Sequence, residues 1–145
     1  MEDDRQMKIW SRVRLPQGNA AGNLQPLLAA ALGEAAVFAA LLRQMPTATH
    51  PLLRQLREEK LAHARCIQGI YMLTGGGKLK AGVAPVKLER PEAVLRRSYG
   101  RTLREVRAYE DWAGDPEYGP VFRWMERREQ EHCAMIAQLM GMLAS

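Results

Sequence analysis

Two histidines in this chain each follow a glutamate by about one helical turn. Glu59 stands four residues before His63, and Glu129 stands three before His132. Residues three or four apart share a helix face, so each pair can present a carboxylate and an imidazole together. A further acid, Glu34, is the only charged residue between Leu24 and Leu42. A carboxylate taken into a core is costly unless it is paired, hydrogen-bonded or bound to metal. Carboxylates and imidazoles gathered inside a helical bundle suit a pair of iron or manganese ions. The carboxylates bridge and balance charge, each histidine supplies one nitrogen, and an open position can take water or peroxide.

The elements that must position these residues read as four helices. The first runs from about Leu24 to Met45, with Asn23 as its cap, and stops before Pro46. The second opens at Pro51, which suits a first turn, and ends at Thr74-Gly75-Gly76-Gly77. The third opens at Pro91 and runs to about Trp112. Gly114-Asp115-Pro116 marks a turn, and the fourth runs from Asp115 or Gly119 to about Leu143. Residues 1–22 lack a clear period and read as an arm that packs through Ile9, Trp10, Val13 and Leu15. The bundle domain is then 23–145.

Helical periodicity places the candidate residues on faces. On the second helix, Leu52, Leu56, Glu59, His63, Ile67 and Ile70 form one stripe. On the fourth, Val121, Met125, His132, Ile136, Leu139 and Leu143 do so, with Glu129 on the same side. On the third, Leu95, Tyr99, Leu103, Val106 and Ala113 set an apolar face with Glu110 near its centre and Glu105 near its edge. The two halves of the chain favour Glu105 instead. Glu34 precedes Phe38 by four, as Glu105 precedes Tyr109, and a histidine follows on the next helix in each half. Both Glu105 and Glu110 stay as candidates.

The order of short, long and short connections, the long one at about 75–89, predicts an all-α, up-down four-helix bundle of ferritin-like type. Its crossover lies between helices 2 and 3. Gly33-Glu34-Ala35-Ala36 with Phe38, then Glu58-Glu59-Lys60-Leu61-Ala62-His63-Ala64, then Glu129-Gln130-Glu131-His132-Cys133 resembles the di-iron domain of the rubrerythrin and ferritin-like superfamily. The resemblance covers about 24–143. It implies metal ligands at Glu34, Glu59, His63, a helix-three glutamate, Glu129 and His132. It also implies two iron or manganese ions, peroxide or oxygen reduction or iron oxidation, and a homodimer. No rubredoxin module follows, so an electron donor would be a separate molecule.

The chain departs from the family's pattern at two positions. Lys60, not a glutamate, stands three before His63, and Arg128 stands four before His132. Glu59 therefore corresponds to Arg128, and Lys60 to Glu129. The swap offers a second reading: Glu59 pairs with Arg128 and Lys60 with Glu129. Such a bundle keeps the fold without metal and acts as a structural or partner-binding module. Inward-pointing Lys60 and Arg128 favour this reading, and outward-splayed ones the metal.

Composition narrows the rest. The chain of 145 residues is 47% hydrophobic and 26% charged, the balance of one globular domain. Two cysteines exclude a disulfide framework and a four-cysteine metal centre, leaving Cys66 and Cys133 as thiols. The net charge of +5 reads as a solvated basic surface. No phosphate loop, finger spacing or aromatic-basic pattern points to nucleic acid. Arg97, Arg101 and Arg104 read as a solvated face of helix three. The apolar run Leu27–Leu42 is about a turn too short to span a bilayer and carries Glu34. The acidic start Met1-Glu2-Asp3-Asp4 is unlike a secretion signal. Together these predict a soluble, cytoplasmic protein.

Overall fold

The computed structural model describes residues 15–87 and 89–144, with side chains from Leu24 onward. Four α-helices account for most of it: α1 (Leu15–Leu41), α2 (His50–Leu73), α3 (Pro91–Trp112) and α4 (Gly119–Ala144). A short 3-10 turn, Thr47–Thr49, precedes α2. No strand occurs among the described residues.

The expected helices are all present, and the first differs at both ends: it starts before Leu24 and stops at Leu41, short of Met45. α1 begins at Leu15, so Asn23 is an interior residue rather than a cap, and 15–22 is not a separate arm. Pro16 sits in the first turn, where its missing N–H removes no hydrogen bond. Ile9, Trp10 and Val13 lie outside the described residues. At the other end of the hairpin, α2 stops where Gly75 takes φ of 86° and Gly76 N–H bonds the Tyr71 carbonyl at 3.1 Å. That left-handed step is one a β-carbon disfavours. Between α3 and α4, Asp115 Oδ2 accepts from the N–H groups of Glu117 (3.1 Å) and Tyr118 (2.8 Å), closing the turn before Gly119.

Packing is hairpin on hairpin. α1 lies mainly against α2 and α3 mainly against α4, with lighter contacts joining α1 to α3 and α2 to α4. Two apolar clusters result. One joins Leu24, Leu28 and Ala31 to Ile67, Ile70, Phe122 and Met125. The other joins Phe38 and Leu41 to Leu53, Leu56, Leu95, Ile136 and Leu139. Between them lies a layer of buried polar side chains: Glu34, Lys60, His63, Ser98, Thr102, Glu105, Glu129 and His132.

The internal repeat extends through the core. Leu53, Leu56, Lys60, His63, Ala64, Ile67 and Ile70 of α2 are buried. Their counterparts 69 residues later, Phe122, Met125, Glu129, His132, Cys133, Ile136 and Leu139, are buried too. In α1 and α3 the buried pairs are Leu24 and Leu95, Leu27 and Ser98, Ala31 and Thr102, Glu34 and Glu105, and Phe38 and Tyr109.

The inward face of α3 differs from its apolar stripe. The buried stripe of α3 is Leu95, Ser98, Thr102, Glu105 and Tyr109, while Leu103 is 44% exposed. Small hydroxyl residues occupy the inward positions, so apolar periodicity points to the wrong side. On α4, Phe122 is buried and Val121 exposed, one position from the expected stripe. On α2, Leu53 and Lys60 are buried where Leu52 and Glu59 were expected to lead.

Candidate functional site

The polar layer is organised by Lys60. Its position on the inward stripe of α2 leaves the ammonium no route to water, and the residue is fully buried. Nζ donates to Glu129 Oε2 at 2.5 Å and to Glu105 Oε2 at 3.1 Å. Glu129 Oε1 accepts from His63 Nδ1 at 2.7 Å. A carboxylate only accepts, so His63 carries its proton on Nδ1. Its other nitrogen, Nε2, has no partner among the described residues.

His132 connects this centre to the bundle edge. Its Nε2 donates to Glu59 Oε1 at 2.9 Å, and its Nδ1 lies 3.4 Å from Glu129 Oε2. Glu59 is in turn gripped by Arg128, whose Nε and Nη2 both donate to Oε1. The two imidazoles stack with centroids 5.5 Å apart, and His63 meets Tyr109 and Trp124 edge-on. Glu34 lies apart from Lys60's hydrogen bonds: it accepts from Ser98 Oγ and from Arg101 Nη1, the latter at 3.3 Å. Ser98 thus occupies the inward register position that holds Leu27 in the other half.

Electrostatics follow from these contacts. Burial works against ionising Glu129, but Lys60 and the two histidines outweigh it and hold its carboxyl well below the usual range. Burial likewise works against a charged Lys60, and Glu105 and Glu129 reverse that, pushing its proton affinity above the ordinary lysine value. Glu105 goes the other way. Burial, with the nearby Glu129 and Glu34 charges, outweighs Lys60 and raises its carboxyl to about 8. At neutral pH Glu105 is therefore mainly an un-ionised acid. Burial also lifts the Tyr109 phenol and the Cys133 thiol above their usual ranges.

The charges close without an added ion. Glu34 is matched by Arg101, Glu59 by Arg128 and Glu129 by Lys60. Burial and the nearby Glu129 and Glu34 charges favour the protonated form of Glu105. Among the described residues, four buried side-chain polar atoms have no hydrogen bond: His63 Nε2, Glu105 Oε1, Tyr109 Oη and His132 Nδ1.

Six of the seven candidate ligands are thus gathered into this layer: Glu34, Glu59, His63, Glu105, Glu129 and His132. Glu110 is not; it is exposed on the outer side of α3. The half-repeat located the helix-three residue where apolar periodicity failed. Among the described residues, no group of three or more His, Cys, Asp or Glu side chains stands where it could hold a metal ion. The ammonium of Lys60 fills the point where Glu105 and Glu129 converge. As the carboxylates are held here, the donor set does not fit a metal pair.

Ser98 and Arg101 were missed as partners of Glu34. The signal for Ser98 is a small polar residue on the same stripe as Leu95 and Thr102. Arg101 was assigned to a solvated face, and its side chain is indeed 46% exposed, reaching back to Glu34 from there. Cys66 and Cys133 are both free thiols. Comparisons with family models, curated proteins and solved structures find no significant match to this chain.

Proposed function

We propose that this chain is a ferritin-like bundle of up-down topology, with its crossover between α2 and α3, that serves as a metal-free structural or partner-binding module. Protein-made ion pairs fill the place that a metal pair takes in the family it resembles. The observation that carries this reading is Lys60, whose ammonium lies between Glu105 and Glu129 with no access to solvent. Arg128 on Glu59 supports it. Two close hairpins joined by one long segment, 74–90, support the ferritin-like topology. A homodimer in the cytoplasm completes the reading. α1 has a stretch, Leu24–Leu41, apolar and long enough to cross a membrane, but half of it is buried against the bundle and it carries Glu34. Sedimentation would reveal the dimer.

A second reading, a di-iron or di-manganese oxidoreductase acting on peroxide or oxygen, draws on one observation. Histidine and carboxylate atoms are left unpartnered in the same layer, at His63 Nε2, His132 Nδ1 and Glu105 Oε1. The two readings part on metal content. Protein purified without chelator and loaded anaerobically with Fe²⁺ is analysed by plasma mass spectrometry. The metal-free reading expects far less than one ion per wild-type chain. It also expects Lys60→Glu, which places a carboxylate three before His63, to gain iron. About two ions per wild-type chain, lost in a Glu34→Ala, His132→Ala double variant, would overturn it.

A further inference from the structure

A groove of about 1320 Å³ opens between α1, α3 and the segment 82–87. That exceeds the few hundred to about 1000 Å³ of ordinary small-molecule sites and suits a length of polypeptide. Its floor on α1 is small: Ala29, Ala30 and Gly33. The two helices run antiparallel here. Glu34 meets Ser98 and Arg101, Leu24 and Leu28 share a cluster with Tyr109, and Phe38 shares one with Leu95. Pro26 therefore stands near the level of Asp111, and Val37 near that of Arg97.

Charge runs along the groove in one sense. Asp111 lies at the Pro26 end. Arg97, Arg101 and Lys87 gather toward the Val37 end, with Arg104 between. Arg97 and Arg101 hold Glu89 and Glu34 through one N–H each, at 2.6 Å and 3.3 Å, and a guanidinium has five donors. Their side chains are 44% and 46% exposed, so the spare donors face the groove mouth.

The Leu24–Leu41 stretch of α1 has a mean hydropathy of 1.6, yet only half of it is buried. A helix so apolar normally has both sides covered. A matching cover precedes it in the chain. Residues 1–14, which lie outside the described residues, hold the acids Glu2, Asp3 and Asp4, then Met7, Ile9, Trp10 and Val13, with Arg12 and Arg14 next to α1. Connectivity sets the direction. From Leu15 to Val37 the helix rises about 33 Å, and an extended chain covers about 3.3 Å per residue. About ten residues therefore reach the far end of the groove, and about four remain for the reversal. In that direction Arg12 and Arg14 fall toward Asp111, the apolar side chains over the small floor, and the acids among the cations. Arg5 and Lys8 have stems long enough to keep their charges in water.

We propose that residues 2–13 turn back along α1 and close this groove in cis, their acids on Lys87, Arg97, Arg101 and Arg104 and their apolar side chains on Ala29, Ala30 and Gly33. The tether gives the segment an effective concentration in the millimolar range, which a separate partner must exceed to displace it. None of these contacts depends on Glu105 or on the metal content of the interior layer.

Nuclear Overhauser contacts in the full chain test this. Wild type should show them from Met7, Ile9 and Trp10 to the methyl groups of Ala29 and Ala30, with no change on tenfold dilution. Gly33→Leu fills the floor, where a β-carbon meets no atom within 4 Å. Asp3→Lys with Asp4→Lys sets like charges together. Each variant should weaken the contacts at least fivefold while the signals of α2 and α4 stay in place. Adding Lys87→Glu and Arg104→Glu to the second variant should restore them, which a merely structural role for these side chains would not do. Absence of the contacts in wild type overturns the proposal, as does their persistence in the Asp3→Lys, Asp4→Lys variant or a failure of the reversed cations to restore them. Contacts found only between isotope-labelled and unlabelled chains put the segment of a second copy in the groove and overturn it as well.

Discussion

Lys60 and Glu129 are counterparts in the two halves of the chain, and they face each other across the core at 2.5 Å. Removing one partner of such a buried pair leaves the other charge stranded. Lys60→Ala should therefore destabilise the fold by about 3–5 kcal/mol, measured by denaturant unfolding. A smaller loss is expected from a Lys60→Met, Glu129→Leu double variant, which removes both charges and keeps the volume. Glu105 sets a pH dependence of the opposite kind from a salt-bridged acid. Its folded-state value near 8 lies above the ordinary 4.5, so the folded chain holds the extra proton between them. Stability from this group is then full below pH 4.5 and declines as pH rises toward 8. Glu105→Gln should flatten the slope of unfolding free energy across that window. An unchanged slope would show that Glu105 is ionised in the fold.

At the scale of the elements, glycine positions separate two kinds of constraint. A β-carbon at Gly119 would sit 2.5 Å from the Ala113 carbonyl oxygen, which is fixed backbone of the α3–α4 turn. Gly119→Ala should lower the melting temperature. Gly33 lies inside α1 with open space around it, so Gly33→Ala should stabilise by about 0.5–1 kcal/mol. Helix existence and most ends were legible because Pro46, Pro51, Pro91 and the glycines after Leu73 punctuate the chain. The start of α1 was not, because 15–23 carries no apolar period. The face of α3 was not, because Ser98 and Thr102 turn inward: Ser98 binds Glu34, and Thr102 Oγ1 bonds back to the Ser98 carbonyl at 2.9 Å. The Lys60–Glu129 and Glu59–Arg128 pairs were legible as an alternative, from nothing more than the exchange of charge between equivalent positions. Their arrangement around one buried ammonium needed coordinates, since a sequence does not say which end of a lysine is in water.

At the scale of the whole molecule, the polar layer divides the core into two apolar clusters and joins both hairpins. α2 reaches α3 through Lys60 and Glu105, and α4 through Glu129 and Glu59. Opposite charges on the equivalent stripes of α2 and α4 favour this pairing over two copies of the same hairpin, which would set Lys60 against Lys60. The central claim is that Lys60 is a permanent ammonium occupying the middle of the bundle. Heteronuclear NMR of the lysine side chain, with Mn²⁺ added as a paramagnetic probe, tests it most directly. The account predicts a slowly exchanging Lys60 ammonium signal that persists above pH 10.5, and His63 and His132 resonances that Mn²⁺ leaves sharp. Loss of the Lys60, His63 and His132 signals at substoichiometric Mn²⁺ would contradict it and place a metal where the ammonium now stands.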